Sequence, residues 1–266
     1  MLEESIRAYM AARGSVFEAR VFDCVDSTNT VLAALARSGA PEFTAVIAGA
    51  QTAGRGRGEH RFFSPAGCGV YFSLLLRPRF PAVTAAKLIT PACAVAAARA
   101  IERASGEAAG IKWVNDVFLR GRKVCGILTE AAPDAAGGLA WVIPGIGINV
   151  NQQPEDFSPD IRDMAASLAM VLGHPVRRTQ LAAQVIRALD RMYRSFPKEK
   201  ERYLEQYRAD CLTPGNQVQL ITPASRQEAR ALAIDDDFRL VVELPDGTRK
   251  ALSAGEVSVR GMYGYV

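Results

Sequence analysis

Gln51-Thr52-Ala53-Gly54-Arg55-Gly56-Arg57-Gly58 lies between two apolar runs, Thr44–Ala50 and Val70–Leu76. Both runs are apolar enough to be buried strands, which makes Gln51–Gly69 a glycine- and arginine-rich loop between them. Glycines at alternate positions let the backbone adopt φ > 0 and present several amides to an anion. Arg55 and Arg57 add fork-shaped donors that suit a phosphate or carboxylate. No G-x-x-x-x-G-K-[ST] phosphate loop occurs in the chain, and the glycines do not match the dinucleotide fingerprint. A plain basic surface loop would have the same composition, so the assignment depends on what surrounds it.

Upstream, Ser15–Val25 reads as a strand ending at Asp26-Ser27-Thr28, a trio suited to capping a helix from Thr28 to Arg37. Residues 1–12 read as a further short helix. Downstream, Ala85–Ala104 is an alanine-rich helix able to pack closely on a sheet. Strand-like runs follow at Ile111–Val114, Val117–Leu119, Val124–Glu130 and Leu139–Val150, with Gly121 marking a hairpin turn. Helical periodicity is expected over Ile161–Leu172, Leu181–Phe196 and Glu199–Ala209. After Thr213-Pro214-Gly215 the texture changes to short strands (Val218–Ile221, Ala229–Ile234, Leu240–Leu244, Val257–Arg260) with charged turns such as Pro245-Asp246-Gly247. Strands first and helices later point to an α+β fold, with a mixed or antiparallel sheet and helices over 1–212 and a small β-barrel over 213–266.

Bulk properties exclude several classes. The 266 residues are 49% hydrophobic and 23% charged, without an apolar run able to cross a bilayer. Glu3 and Glu4 are the wrong start for a secretory signal. Five scattered cysteines without a C-x-x-C pair argue for a reducing cytoplasm, not a disulfide scaffold or structural zinc site. The net charge of +4 does not demand nucleic acid and suits an anionic small substrate. With only His60 and His174, neither a histidine metal site nor a Ser-His-Asp triad is expected.

Two further stretches carry polar residues in apolar company. Lys112 and Lys123, in Ile111–Asp116 and Arg122–Glu130, sit within predicted strands, where an unpaired ammonium is costly. A straight strand would aim Lys112, Val114 and Asp116 to one face. The plain alternative is edge-strand lysines that discourage aggregation, beside an Asn-Asp turn. In Gly145-Ile146-Gly147-Ile148-Asn149-Val150-Asn151, glycines allow close backbone approach and the strand end exposes an amide; an ordinary sheet strand would read the same way.

Taken together and in order, the pieces resemble the biotin protein ligase family. The resemblance rests on Asp26-Ser27-Thr28-Asn29, Gln51–Arg57, Lys112-Trp113-Val114-Asn115-Asp116, Lys123-Val124-Cys125-Gly126-Ile127-Leu128 and Gly145–Asn149, with Gly255–Arg260 similar to the closing strand. It runs from about residue 17 to the C-terminus. It implies a biotin/lipoate ligase-like catalytic domain followed by an SH3-like barrel, with ATP and biotin as substrates and Mg2+ accompanying ATP, its ligands unassigned. Ser27 and Thr28 would bond the ureido ring of biotin, with Asn29 and Gln51 beside its head. Arg55, Gly56 and Arg57 would fold over biotin and the adenylate, Lys123 would meet the biotin carboxylate, and Gly126, Ile127 and Leu128 would line the apolar part. Lys112, Trp113, Asn115, Asp116 and Asn149 would handle ATP phosphates or adenylate. Catalysis would fall to Lys112, Asp116, Lys123 and Arg57, and the acceptor would be a lysine of a biotin carboxyl carrier protein. A homodimer is implied weakly, and no membrane partner.

The resemblance also has departures and rivals. After Arg57 the family continues with Arg-Gly-Arg and then Trp, whereas this chain reads Gly58-Glu59-His60-Arg61-Phe62; Val114 stands where many members have proline. Lipoate ligases and octanoyltransferases share the fold, but the Gly-Arg-Gly-Arg loop and the Gly255-Glu256-Val257-Ser258 segment favour biotin. A biotin-responsive repressor would need a winged helix-turn-helix of roughly sixty residues before the Ser-Thr-Asn motif. Only 26 residues precede Ser27, so specific DNA binding is not expected. A nonenzymatic nucleotide-binding module would leave the lysines and glycines of 112–128 without a role.

Overall fold

The computed structural model describes residues 18–58, 60–78, 82–135, 138–196, 198–222, 225–253 and 258–261. The helix expected over 1–12 and residues 255–257 of the expected closing strand lie outside this set. Seven strands form the main sheet: β1 (Glu18–Val25), β2 (Thr44–Gln51), β3 (Gly69–Leu74), β4 (Ala109–Lys112), β5 (Asp116–Leu119), β6 (Arg122–Pro133) and β7 (Leu139–Asn149). Their order is β1-β2-β3-β7-β6-β5-β4. Only β1 and β2 pair in parallel, through the crossover α1 (Thr28–Arg37); the other ladders are antiparallel. The sheet is therefore mixed.

Strand alternation assigns the two faces. Val46, Leu75 and Ile143 meet Leu32 and Ala36 of α1 on one side. Ala45, Ile47, Phe72 and Ile146 join the larger core on the other, with α2 (Ala82–Ser105), α4 (Arg178–Ser195) and α5 (Lys200–Asp210). Ala92, Ala94, Ala97, Ala98 and Ala100 of α2 are buried. Their small side chains permit close approach of helix to sheet, as the alanine bias implies.

The helix expected over Ile161–Leu172 is a correction. Only α3 (Leu168–Leu172) forms, capped by Ser167 Oγ, which accepts from Met170 N at 3.1 Å, and ended by Gly173 at φ 76°. The preceding residues lie against β6 instead: Lys123 N donates to Met164 O at 2.8 Å and Ala166 N to Lys123 O at 2.9 Å. Tertiary pairing overrides local helical periodicity here. A second correction concerns 112–116. The strand does not run straight: Lys112 pairs with Asp116 across a hairpin whose turn is Trp113–Asn115. Lys123, on the interior strand β6, also cannot be the edge guard considered from sequence alone.

A second, antiparallel sheet follows, with order β11-β10-β9-β8-β12, made of β8 (Gln217–Ile221), β9 (Arg226–Ile234), β10 (Leu240–Glu243), β11 (Arg249–Leu252) and β12 (Ser258–Gly261). No ladder closes β11 onto β12 among the described residues, so a closed barrel is not seen. β11 carries Arg249 and Lys250, and its exposed polar character hid it from the hydrophobic pattern. Val218, Ala231, Phe238 and Leu240 join the large core, so both sheets share one apolar interior. No helix among the described residues is long and apolar enough to cross a membrane.

Candidate functional site

The loop 51–64 folds back on itself over the main sheet. Phe62 N donates to Gly54 O at 2.9 Å, Gly56 N to His60 O at 2.7 Å, and Gln51 N to Ser64 O at 3.0 Å. Under it lies a cavity of about 230 Å3. Its lining includes every sequence-predicted site residue: Ser27, Thr28 and Asn29 at the start of α1; Gln51, Arg55, Gly56 and Arg57 in the loop; Lys112, Trp113, Asn115 and Asp116 in the β4–β5 hairpin; Lys123, Gly126, Ile127 and Leu128 on β6; and Asn149 at the end of β7. Five separate pieces of chain thus converge on one space.

A buried polar cluster forms one wall. Gln51 Oε1 accepts from Thr28 N at 2.9 Å and from Thr28 Oγ1 at 3.2 Å, while Gln51 Nε2 donates to Ser64 Oγ at 2.8 Å. Ser73 Oγ lies 2.7 Å from Thr28 Oγ1 and 2.5 Å from Asn29 Oδ1. Asn29 Nδ2 donates to Glu130 Oε2 at 2.7 Å and to Leu128 O at 3.3 Å. Ser27 takes the N-cap position, but its side chain makes no capping bond, contrary to expectation; its backbone N bonds Asp26 Oδ1 at 2.6 Å instead.

Cations gather beside this wall. Lys123 Nζ lies 2.7 Å from Asp116 Oδ1, and Lys112 is only 6% exposed. Burial lowers the Arg57 pKa from its ordinary value, and the nearby Asp116 carboxylate acts against that shift. Arg55 Nη1 lies 2.9 Å from Glu130 Oε1. Such a set can neutralise anions in a site partly withdrawn from water, where charge interactions are stronger than in bulk.

Two predicted residues serve the scaffold as well as the lining. Trp113 donates from its indole Nε1 to Phe238 O at 2.9 Å, and from its backbone to Thr213 Oγ1 at 2.9 Å, tying the hairpin turn to the C-terminal sheet. Asn115 Nδ2 donates to Ile127 O at 2.7 Å and its carbonyl accepts from Ile127 N at 3.0 Å, so its amide clamps the turn onto β6.

Several lining or supporting residues escaped the sequence reading. Phe62 lays its ring against Gly147, where an added Cβ would come within 2.6 Å of it. Gly145 leaves room for the Asn29 amide oxygen. Phe157, Ile161 and Met164 form a further wall, and Val259 reaches in from β12. Ser73 had a signal, a lone hydroxyl within an apolar run. Met164 and Val259 had none, because only tertiary pairing brings them near.

Among the described residues no three His, Cys, Asp or Glu side chains group to hold a metal ion.

Two family models match the chain: the Biotin/lipoate A/B protein ligase family over residues 21–149 and the Biotin protein ligase C terminal domain over 214–260. The bifunctional ligase/repressor BirA of Bacillus subtilis (strain 168) is 36% identical over 233 residues, spanning 87% of this chain and 71% of that protein. The biotin--[acetyl-CoA-carboxylase] ligase of Mycobacterium tuberculosis is 32% identical over 264 residues, spanning 96% of this chain and 94% of that one. Among solved structures, the Aquifex aeolicus biotin protein ligase in complex with biotin and ATP superposes with a TM-score of 0.78 at 27% identity, covering 92% of this chain and 99% of that one. By sequence over nearly its whole length, and by fold, the chain belongs to the biotin protein ligase family.

Proposed function

We propose that this protein activates biotin with ATP to biotinyl-5′-AMP and pyrophosphate, then transfers the biotinyl group to a lysine of a biotin carboxyl carrier protein. The observation that carries the reading is the single cavity in which the Ser27–Thr28–Gln51 polar cluster and the Gly126–Leu128 wall share space with Lys112, Lys123 and Arg57. A bicyclic head with one apolar chain and one carboxylate matches that combination.

In the first step a biotin carboxylate oxygen attacks the α-phosphorus of ATP. An O–P bond forms, the bond to the bridging oxygen breaks, and pyrophosphate leaves. Two anions must approach, so the barrier falls when fixed cations stand between them. Lys123 would take the carboxylate, with Lys112 and Arg57 toward the phosphates. Mg2+ would enter with ATP, and the chain's contribution is its own cations. The mixed anhydride must then be kept from water, a task suited to the folded 51–64 loop.

In the second step the acceptor amine nitrogen bonds the acyl carbon, the C–O bond to AMP breaks, and the amine loses a proton. Asp116 is the candidate to orient that amine or take the proton, after Lys123 turns from it to the substrate. We assign residues 1–212 to catalysis and 213–266 to a C-terminal unit. Five short strands and a bulge at Val241/Val242, which increases twist, support reading that unit as an SH3-like barrel. A cytoplasmic setting fits the five free cysteines. A homodimer would pair through β1, the edge strand of the sheet among the described residues, which exposes Phe22.

The test is incubation with biotin and labelled ATP, scored for pyrophosphate release and for transfer to a carrier domain. Biotin-dependent release followed by labelling of the carrier is expected; equal use of lipoate or octanoate would overturn the assignment.

A further inference from the structure

Glu130 stands behind the cavity wall and touches two separate parts of the site. Its Oε2 accepts from Asn29 Nδ2 at 2.7 Å, and its Oε1 pairs with Arg55 Nη1 at 2.9 Å. Asn29 is 4% exposed, and its amide is nearly consumed by the protein: Nδ2 also donates to Leu128 O, and Oδ1 receives Ser73 Oγ. A carboxamide has two N–H donors, and both are spent here. Asn29 is therefore better suited to shaping the site than to bonding a ligand with its donors. On the other side Arg55 is about half exposed, and its backbone bridges Arg61 across the folded loop. Arg55 is thus one tether of that loop over the cavity, beside the backbone bonds from Thr52 N to Val25 O and from Ala53 N to Asp26 O, both 2.9 Å.

We propose that Glu130 is a positioning residue that couples the Ser27–Asn29 turn to the glycine–arginine loop. One carboxylate oxygen sets the Asn29 amide, and the other keeps Arg55, and with it the loop, in place above the adenylate. The inference rests on the adenylate-forming function proposed above. A carboxylate suits the task because it is acceptor-only and can serve two donors at once. Glutamine would still offer one oxygen to Asn29 but would turn an N–H2 toward the guanidinium, replacing attraction by donor–donor conflict. Because the Arg55 pair is partly exposed, its loss should alter the hold on the loop more than the stability of the fold.

The experiment uses the full chain and compares wild type, Glu130→Gln, Glu130→Ala, Arg55→Ala and the Glu130→Gln/Arg55→Ala double variant. Labelled biotinyl-5′-AMP is preformed and its release followed after a chase with unlabelled biotin. Glu130→Gln is expected to release several-fold faster with biotin affinity nearly unchanged, whereas Glu130→Ala, which also frees Asn29, should weaken biotin binding too. The double variant should release no faster than Arg55→Ala alone, since both changes break one contact. Ligand-free trypsin cleavage after Arg55 and Arg57 should quicken in Glu130→Gln, a readout that needs no chemistry. Wild-type release and cleavage rates in Glu130→Gln, or additive effects in the double variant, overturn the proposal. Were wild type to make no adenylate, the function would fall, while the trypsin comparison would still decide whether Glu130 holds the loop.

Discussion

Lys123 and Asp116 form a 2.7 Å ion pair between the neighbouring strands β6 and β5, both side chains at the cavity. Neither charge is fully exposed, so each lowers the cost of burying the other. An incoming carboxylate would compete with Asp116 for the ammonium, which makes the pair a switchable contact.

Lys123→Ala should therefore harm biotin capture twice, by removing a charge-assisted hydrogen bond and by leaving Asp116 to repel the carboxylate. A loss of roughly 1.5–3 kcal/mol, or about one to two decades in affinity, is expected. Calorimetry with biotin checks it, and unchanged affinity would make the lysine purely structural. Asp116→Asn should instead keep biotin binding and slow transfer to the carrier, separable in single-turnover assays.

Gly145→Ala tests the shape of the polar wall. A Cβ at 145 would collide with the Asn29 amide oxygen, and that side chain cannot retreat without losing Ser73 and Glu130. Overpacking of this kind costs about 1–3 kcal/mol. We expect biotin affinity to fall at least as sharply as stability, measured by calorimetry and thermal melting. A melting shift with intact binding would show that the wall tolerates rearrangement.

Arg77→Ala addresses the opposite end of α1. Arg77 Nη1 donates to Ala140 O at 2.6 Å and Nη2 to Ala40 O at 3.1 Å, while its backbone N donates to Glu42 Oε1 at 2.8 Å. The side chain thus ties the Ala40 carbonyl, just beyond the helix C-terminus, to the Ala140 carbonyl of β7. Its removal should cost about 1–3 kcal/mol in denaturant unfolding with biotin affinity unchanged, since Arg77 does not line the cavity.

The elements were legible in the sequence wherever periodicity and burial agreed. α1 spans the expected Thr28–Arg37, and the apolar runs became β2, β3 and β7. Signals failed where backbone partners came from afar. Residues 161–165 keep single turns, such as Ala165 N to Ile161 O at 2.8 Å, but Lys123 takes Met164 O and Ala166 N and no helix propagates; Trp113–Asn115 turns because Lys112 pairs back onto Asp116. The site was legible through its motifs: the lysines, arginines and Ser27–Asn29 all line one cavity. What the motifs could not reveal was the division of labour among them. That the indole of Trp113 binds the Phe238 carbonyl, or that Asn29 is saturated by Ser73, Leu128 and Glu130, depends on contacts across dozens of residues.

Cysteine chemistry gives a check on burial. Cys24 is exposed, whereas Cys93 and Cys125 are buried and desolvation pushes both thiols far above the usual range. Burial raises Cys211 to about 11. Iodoacetamide near pH 8 should label Cys24 and spare Cys93 and Cys125 until denaturation, as mass spectrometry can read. Because Cys211 is neutral in the fold, its contribution is fully present below the unfolded thiol pKa and fades as pH rises toward about 11. Cys211→Ser should flatten that alkaline decline; an unchanged pH profile would exclude Cys211 as its source.

The departure at Gly58-Glu59-His60-Arg61 raises the question of where the loop's positive charge resides. Arg61 lines the same cavity as Arg55 and Arg57, and its backbone bridges Arg55. Gly58, at φ 60°, occupies the turn that carries the chain back, a conformation in which an arginine would be strained. The charge is therefore displaced along the loop rather than lost. Arg61→Ala should speed escape of preformed biotinyl-5′-AMP, with the effect diminishing at high salt as screening grows. His60→Arg should change release little at neutral pH, because the cavity already faces three arginines. If His60→Arg slowed release markedly while Arg61→Ala left it unchanged, Arg61 would not be the replacement, and the loop would be a weaker clamp than its arginines imply.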